Sequence, residues 1–280
     1  MKFSIHTTID EARQFLQGSP WMQGFEPELR DTFLAHCRLL PPFKRGQRVY
    51  NVGDRPDGIY GVVSGSLGFE IGPDDEGPQL VHQIWPGDWF GELAHVLNCP
   101  RLATLQASRP SLCVRISARD LNALLNQHAH LWKHMALSLA HVSVVAMTSV
   151  HDLMERSPRR RLVATLLRVS GIRNGEDIDR IDLELDLTHG TLAALSNLSR
   201  SLVADILHEL ELLGWLRCRY GKIRLMEPSN LRQWLHSSAT GFAGQTTASN
   251  AESKAISDLA ATGTALADAR ARQISAVQKD

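Results

Sequence analysis

The stretch that most constrains the fold is residues 187–214, LTHGTLAALSNLSRSLVADILHELELLG. Its apolar spacing predicts two helices joined by a tight turn. Thr188 is placed to cap the first helix, and Asn197 suits the turn because asparagine tolerates the left-handed conformation. Ser199 is placed to cap the second helix, and Gly214 is expected to end it. The pattern predicts a helix-turn-helix, the alternative being an ordinary helical hairpin inside a core.

The second of these helices opens with Ser199, Arg200 and Ser201. Helix-turn-helix proteins place the N-terminal residues of that helix in the DNA major groove. The following sequence, WLRCRYGKIRLME, predicts two short strands around Tyr220 and Gly221, a hairpin of the kind called a wing. The segment therefore predicts a winged helix-turn-helix that contacts double-stranded DNA.

The region from Leu39 to about Ile116 has a different pattern. Short apolar runs such as IYGVVSG and SLGFEIG are separated by glycine-containing turns. Many short strands at regular spacing predict a small barrel or β-roll. The preceding residues, from Trp21 to Cys37, predict a helix. The fold class expected from these patterns is α+β, with the roll N-terminal to the helix-turn-helix.

Residues from His130 to about Glu155 predict a long helix between the two modules. Its apolar and small residues recur every three or four positions, at Met135, Leu139, Val142, Ala146, Ser149 and Leu153. Such a stripe is either the core face of one domain or a helix–helix seam between two copies. We favour a homodimer, because the stripe is narrow and paired recognition helices match a twofold-symmetric DNA site.

The chain of 280 residues is expected to have five parts. These are an N-terminal segment (1–20), a β-roll sensor domain (21–128), a dimerisation helix (129–156), a winged helix-turn-helix (157–236) and a tail (237–280). The tail is rich in alanine and holds few large apolar side chains, so we expect it to be disordered.

Several classes of site and location are disfavoured by composition. The four cysteines lack CxxC spacing, which argues against a zinc ribbon or an iron–sulfur cluster. His130 and His134 have a spacing that can bind a metal, but without an acidic partner we expect exposed or half-buried helix residues and no metal. No leader is recognised, and no apolar run approaches the ~20 residues that span a bilayer. We therefore expect a cytoplasmic protein with reduced thiols and no membrane contact.

The order of a glycine-rich roll, a long helix and a winged helix-turn-helix resembles the cyclic-AMP receptor protein/FNR superfamily of bacterial transcription regulators. The resemblance covers about residues 21–236. Its most specific element is residues 85–107, WPGDWFGELAHVLNCPRLATLQA, which resembles the family's phosphate-binding cassette, PGDxFGE followed by PR[ST]A. The resemblance implies a dimeric regulator that binds DNA, contacts RNA polymerase and is not an enzyme.

The cassette implies a ligand-binding set that comprises Gly91, Glu92, Leu93, Arg101 and Leu102. Glycine lets backbone N–H groups approach a phosphate, Glu92 can accept a hydrogen bond from a ribose hydroxyl, and Arg101 can neutralise the phosphate. A surface ion pair of Glu92 and Arg101 is the alternative. Leu102 stands where the family has serine or threonine. The effector is therefore left open among cyclic AMP, cyclic GMP and cyclic di-GMP, and a roll that serves only as a scaffold is the second reading.

The resemblance also assigns roles in the DNA module. Thr188 and His189 correspond to residues that touch the DNA backbone, and Arg200 corresponds to an arginine that reads guanine. Ser201 and Asp205 replace an acidic and a basic residue of the family, so we expect a different half-site. The full predicted DNA-contacting set is Thr188, His189, Ser199, Arg200, Ser201 and Lys222.

Two further alternatives remain at this point. The basic cluster of Arg156, Arg159, Arg160 and Arg161 serves either phosphate contacts or internal acidic partners. A cyclic-nucleotide-gated enzyme is disfavoured, because only the helix-turn-helix and the tail follow the roll, and no GxSxG motif occurs.

Overall fold

The computed structural model describes residues 7–72, 79–173 and 183–237. Three helices come first: α1 (Ile9–Gln17), α2 (Pro20–Gln23) and α3 (Pro27–Ala35). The hydroxyl of Thr8 accepts a hydrogen bond from the N–H of Glu11 and the Glu11 carboxylate accepts one from the N–H of Thr8, which closes a capping box on α1. The single helix expected over residues 21–37 is wrong, because the chain ends α2 at Gly24 and Pro27 starts α3.

Eight short strands follow and form the predicted β-roll. They are β1 (Arg38–Leu39), β2 (Arg48–Tyr50), β3 (Gly58–Ser64), β4 (Leu67–Ile71), β5 (Gln79–Ile84), β6 (Trp89–Phe90), β7 (Thr104–Ala107) and β8 (Leu112–Ser117). A short helix, α4 (Glu92–Val96), lies between β6 and β7. The strands make two antiparallel sheets with the orders β1-β8-β3-β6 and β2-β7-β4-β5.

The roll has two apolar cores. The one between its sheets is rich in aromatic residues, since the rings of Tyr50, Tyr60 and Phe90 pack with centroids 5.2–6.1 Å apart. The other lies between the first sheet and the helices, and it includes Phe33 and Ile116. The aromatic core lies next to the cassette, because the guanidinium of Arg101 packs over the rings of Tyr50 and Tyr60.

Two helices lead out of the roll. Helix α5 (Ala118–Gln127) is capped by Ser117, and α6 (His130–Met154) is the expected long helix. Met135 in α6 is 1% exposed and belongs to the helical core of the roll. It was wrongly placed in the seam between copies, because the first turns of α6 pack on their own domain.

The rest of α6 carries an exposed apolar face, which includes Leu137, Val144, Met147, Val150 and Met154 at 44–75% exposure. Lys133 and Asp152 are the helix's residues of the Asp, Glu, Lys and Arg types. By length and composition alone, α6 is apolar enough to cross a membrane, which corrects the expectation that no such stretch occurs. The histidines, serines and threonines of α6 interrupt its apolar residues, so the helix contains no long unbroken apolar run.

The C-terminal module contains α7 (Pro158–Val169), β9 (Leu183–Leu185), α8 (His189–Ser196), α9 (Arg200–Leu212), β10 (Leu216–Arg219), β11 (Lys222–Leu225) and α10 (Pro228–His236). Its strands form an antiparallel sheet in the order β10-β11-β9. The last described element is a nine-residue helix, in which the side chains of Leu231 and Trp234 are fully buried. Residues 174–182, which precede β9, and the tail beyond Ser237 lie outside the described residues.

The helix-turn-helix has the local geometry that its sequence predicts. The hydroxyl of Thr188 accepts a hydrogen bond from the Thr191 N–H at 3.0 Å, and that of Ser199 accepts one from the Leu202 N–H at 3.3 Å. Asn197 adopts φ 50° and ψ 53°, the left-handed conformation expected at the turn. Caps and turn are confirmed because each depends on residues three or four positions apart.

A buried ionic cluster joins the long helix to the DNA module. Asp152 near the end of α6 is 1% exposed and accepts hydrogen bonds from Arg168 Nε at 3.0 Å and Arg173 Nε at 3.3 Å. Arg168 lies on α7 and is itself 8% exposed. A buried carboxylate shared by two guanidinium groups fixes the angle at which α7 leaves α6.

Candidate DNA interface and effector cassette

The recognition helix α9 is anchored along one face and exposed along the other. Its apolar side chains Val203, Ile206, Leu207 and Leu210 are at most 1% exposed. Because these residues lie on one side of the helix, the polar residues at its start face solvent. Ser199, Arg200 and Ser201 are all exposed, as a surface that enters a DNA groove must be.

Arg200 differs from Arg159 and Arg160 in its ion-pair partners. Arg159 pairs bidentately with Glu209 of α9 at 2.7–2.8 Å, and Arg160 pairs with Glu155 at 2.9 Å. Within the described residues, Arg200 makes no ion pair. The N-terminal end of α9 thus presents an exposed guanidinium that makes no ion pair in the described part of the chain.

The two contacts of Arg159 and Arg160 also settle part of the question left by the basic cluster. Arg160 donates further hydrogen bonds to the carbonyls of Leu235 and Ser237, which ties α7 to the end of α10. The guanidinium groups of Arg159 and Arg160 therefore serve the internal packing of the module. Arg156 and Arg159 are exposed, whereas Arg160 and Arg161 are partly buried.

The wing carries the remaining predicted DNA contact. Lys222 begins β11 and pairs with Glu184 of the neighbouring strand β9 and, at 3.9 Å, with Asp186. The hydrogen bond to Glu184 and the negative charges of Glu184 and Asp186 raise the pKa of the Lys222 ammonium. The two carboxylates also partly neutralise its positive charge. A phosphate that approaches Lys222 has to compete with Glu184. Arg217 and Arg219 on β10 are exposed.

The first helix of the motif, α8, packs against β5 of the roll. Thr188 is exposed and His189 is half-buried. The C-terminal module is thus docked on the roll of its own chain.

In the cassette, Gly91 has φ 97° and serves as the N-cap of α4. A Cβ at this position would lie 2.8 Å from Arg101 Nη1, so glycine is required both by conformation and by space. Glu92 is 4% exposed, and this burial raises the pKa of its carboxyl group. The structure therefore brings Gly91, Glu92 and Arg101 together, as expected from the sequence.

Arg101 is directed into the protein and is 2% exposed. Its Nη1 donates to the carbonyl of Gly91 at 2.7 Å, and its Nη2 donates to the carbonyl of Gly58 at 2.7 Å. The guanidinium carbon lies 4.3 Å from the centroid of the Tyr50 ring, a cation–π distance. Its Nε is buried without a hydrogen-bond partner, so one donor of this side chain remains unsatisfied.

Asp57 is the charged partner of this arginine. Its Oδ1 lies 3.0 Å from Arg101 Nη2, its Oδ2 lies 2.6 Å from Arg115 Nη1, and the Tyr60 hydroxyl donates to it at 2.7 Å. Partial burial alone would raise the pKa of Asp57, but the hydrogen bonds from Tyr60, Arg101 and Arg115 outweigh it and lower that pKa. An internal carboxylate thus occupies the position of an anion beside Arg101.

A hydrogen bond links the cassette to the long helix. Ser138 Oγ of α6 donates to Glu92 Oε1 at 2.9 Å. The hydroxyl groups of Thr148 and Ser149, further along α6, donate to carbonyls of their own helix. Neither Ser138 nor Asp57 was identified by sequence reasoning, because a serine within a helix and an aspartate before a strand carry no motif.

The two leucines of the predicted ligand set lie at the surface. Leu93 is 37% exposed and Leu102 is 54% exposed, so neither contributes to the core. Leu102 therefore supplies only its backbone N–H and an apolar surface to any ligand there.

His134, Cys37 and Cys113 are buried in the interior of the protein. His134 was expected to be exposed or half-buried, but it is 3% exposed, because its ring stacks on Phe25 at 4.0 Å. In the ranges that the structure describes, no group of three or more metal-ligating side chains comes together. All four cysteines are free, and burial raises the pKa of the Cys37 and Cys113 thiols to about 12.

Comparison with known proteins agrees with this geometry. The family model for the cyclic nucleotide-binding domain matches residues 41–128, and that for the Crp-like helix-turn-helix domain matches residues 160–234. A cyclic AMP receptor protein from Thermus thermophilus is 26% identical over 223 residues, which cover 78% of this chain and 97% of that protein. The match to this relative therefore spans both modules and the helix between them.

Two other proteins match a smaller share of this chain. A cGMP-dependent protein kinase from Toxoplasma gondii is 26% identical over 153 residues, which cover 55% of this chain but 14% of the kinase. The solved structure of CLP, a c-di-GMP-responsive global regulator from Xanthomonas campestris, aligns with a TM-score of 0.55 at 20% identity, covering 71% of this chain and 99% of that one. The second similarity shows the fold. With both family models matched in the order seen in the fold, the chain belongs to the cyclic-AMP receptor protein/FNR superfamily of transcription regulators.

Proposed function

We propose that this protein is a homodimeric, sequence-specific DNA-binding regulator whose roll takes a nucleotide-like effector. The observation that carries the DNA part is Arg200. It stands exposed at the first turn of α9 without an ion-pair partner in the described part of the chain, whereas Arg159 and Arg160 are paired. Arginine at this position donates two hydrogen bonds to guanine, the commonest specific contact in the major groove.

The homodimer is supported by the exposed apolar face of α6. Its most exposed members, Met147, Val150 and Met154, recur at three- and four-residue spacing and are 59–75% exposed. A second copy of the helix would bury this face, and a twofold arrangement would present two α9 helices to successive major grooves.

The effector part is supported by the cassette. Gly91, Glu92 and Arg101 lie together, and the guanidinium of Arg101 already holds an anionic group, the Asp57 carboxylate. A phosphodiester entering the cassette would compete with Asp57 for Arg101. A ligand hydroxyl that donates to Glu92 would compete with the hydroxyl of Ser138. Effector binding in the roll would therefore change a contact of the long helix α6. Effector and operator would then tighten each other's binding by the same factor.

The remaining parts of the proposal follow the family. We place the sensor domain at residues 21–128, the dimerisation helix at 129–156 and the DNA module at 157–236. The protein would act in the cytoplasm, on promoters read by RNA polymerase, without enzymatic activity or membrane contact. The second candidate, a ligand-independent regulator, is supported by the same inward orientation of Arg101.

Selection of bound duplexes from a random pool tests the DNA part. The full-length protein should enrich a symmetric sequence with a guanine in each half-site. Arg200→Ala should weaken binding to that sequence by about five- to 150-fold, since a bidentate base contact is worth ~1–3 kcal/mol. Arg55→Ala, which removes an exposed arginine of the roll, serves as the control. If no sequence is enriched, the proposed function is wrong.

Calorimetry with cyclic AMP, cyclic GMP and cyclic di-GMP tests the effector part. Leu102→Ser restores the hydroxyl that accompanies the arginine in the family, and Leu102 is exposed enough to change without disturbing the core. This variant should bind the preferred nucleotide about tenfold more tightly, while Glu92→Gln should bind it more weakly. Heat signals from none of the three nucleotides would favour the scaffold reading.

A further inference from the structure

Arg109 joins the roll to the wing. Arg109 lies in the turn between β7 and β8, and its Nη1 is 2.8 Å from Asp186 Oδ1, just after β9. Its Nη2 donates to the carbonyl of Gly221 at the tip of the wing. A single side chain of the sensor domain therefore holds both the wing and the segment that enters α8.

The turn that carries Arg109 is rigid. Ser111 Oγ donates to the carbonyl of Arg109 at 2.8 Å and accepts from the N–H of Ser66 at 3.0 Å. The N–H of Ser108 donates to the carbonyl of Ser66 at 3.0 Å. Pro110 restricts the backbone of Arg109 to extended conformations. The guanidinium thus projects from a fixed base.

The wing tip needs such support from outside. Strand β9 pairs with β11 only as far as Ile223, so the backbone of the tip from Arg219 to Lys222 is held by one pair of strands, to which Lys222 adds ion pairs with Glu184 and Asp186. An isolated two-stranded hairpin is marginally stable in water. Gly221 at the tip has φ 67°, and a Cβ there would lie 3.3 Å from Arg109 Nη2, so this glycine permits the close approach.

The held tip displays a large aromatic side chain. Tyr220 is completely exposed, at 105% of the reference area, and Arg217 and Arg219 on the preceding strand β10 are exposed too. An aromatic ring beside exposed cations is suited to packing on sugar and phosphate groups. The contact with Arg109 leaves the groove-facing residues Ser199 and Arg200 exposed, whereas a contact that blocked DNA binding would cover them.

We propose that Arg109 is a positioning residue for DNA binding: it fixes the wing tip so that Tyr220 and Arg219 contact the DNA backbone beside the recognition helix. The inference rests on the proposed function, since it needs an operator. It adds a direct connection between the sensor domain and the DNA contacts, separate from the path through α6. The turn between β7 and β8 then belongs functionally to the DNA module.

The test compares the affinity of the full-length protein for its selected duplex with that of three variants. Arg109→Ala should bind about three- to tenfold more weakly, because a mobile tip must be ordered on binding. Arg109→Lys should recover part of the loss, since an ammonium can pair with Asp186 but does not bridge both partners as a guanidinium does. Arg55→Ala is the matched control, because Arg55 precedes β3 at the end of the roll where Gly58 pairs with Ser117, opposite to Arg109.

A mutant cycle with the wing separates positioning from a general loss of stability. In a protein that already carries Tyr220→Ala and Arg219→Ala, Arg109→Ala should have no further effect on affinity. Hydroxyl-radical footprints should lose protection beside the wing and keep it at the guanine read by Arg200. Unchanged or tighter binding by Arg109→Ala, or a fully additive cycle, would overturn the inference while leaving the proposed function standing. If the unmodified protein binds no duplex, both are wrong.

Discussion

At the scale of single residues, the cassette arginine behaves as part of the protein's own interior. Arg101 uses its Nη atoms on Gly91, Gly58 and Asp57, and it lies over the ring of Tyr50. Removing a carboxylate that pairs with a buried guanidinium leaves an uncompensated charge, which is costly in a low-dielectric interior. Asp57 therefore stabilises the roll whether or not an effector binds.

Asp57→Asn should lower the free energy of unfolding by about 1 kcal/mol at pH 7, a value reduced from that of a fully buried pair because Asp57 is nearly half exposed. The pKa of Asp57 is lowered in the folded state, so its stabilisation is complete above its ordinary value of 3.8 and is lost as the pH falls further. Urea unfolding should show a constant difference between pH 8 and pH 5 that shrinks below about pH 3.8. The exposed Asp31→Asn is the control, and an equal loss in that variant would contradict the assignment.

The turn of the helix-turn-helix also depends on one residue. Asn197 has φ 50°, a conformation that costs a side chain with a Cβ roughly 1–2 kcal/mol and that asparagine tolerates. Asn197→Ala should therefore destabilise the protein by about 1 kcal/mol, while Asn197→Gly should stay within about 0.5 kcal/mol of the unmodified chain. Thermal unfolding measures both. Equal melting temperatures for the alanine and glycine variants would show that the backbone is not strained there.

At the scale of elements, the junction of α6 and α7 is held by charge. Asp152 is buried with Arg168, and burial lowers the pKa of Arg168 even though Asp152 opposes that shift. Arg168 Nη1 is buried without a hydrogen-bond partner, so the guanidinium of Arg168 depends on the Nε hydrogen bond to Asp152, a carboxylate that it shares with Arg173. The connection between the long helix and the DNA module is therefore ionic and directional, unlike the apolar packing within each module.

Asp152→Ala should cost about 3 kcal/mol of stability, because it leaves Arg168 buried without its carboxylate. Asp152→Asn, which keeps an acceptor but not the charge, should cost less. His151→Ala changes an exposed neighbour on the same helix and should have little effect. Denaturant unfolding of the three variants gives the order. A cost for Asp152→Ala below 1 kcal/mol would mean that the junction is held by other contacts.

At the scale of the whole molecule, the exposed face of α6 is the surface through which we propose that two chains pair. The seam expected from the sequence began at Met135, which is buried in its own domain, and the exposed apolar surface instead runs from Leu137 to Met154. An apolar helix face of this length is also compatible, by composition, with a membrane. Pairing with a second chain accounts for the face and for the twofold DNA site together.

Met147→Lys should convert the dimer to a monomer, since an unpaired charge in a helix interface costs about 3 kcal/mol, roughly two orders of magnitude in the dissociation constant. Met147→Leu keeps an apolar side chain of similar volume and should remain dimeric. Sedimentation velocity distinguishes the two states. A dimer that persists with lysine at this 64% exposed position would place the interface elsewhere.

The order of modules, the caps at Thr188 and Ser199 and the left-handed turn at Asn197 were determined by the sequence itself. The caps and the turn depend on residues within one or two helical turns, where local hydrogen bonds act. The order of modules follows from the apolar periodicity along the chain. The partners of Arg101, Glu92 and Arg109 were decided only by the tertiary structure. They lie 44, 46 and 112 positions away at Asp57, Ser138 and Gly221, so only the folded chain brings these charges and carbonyls into contact.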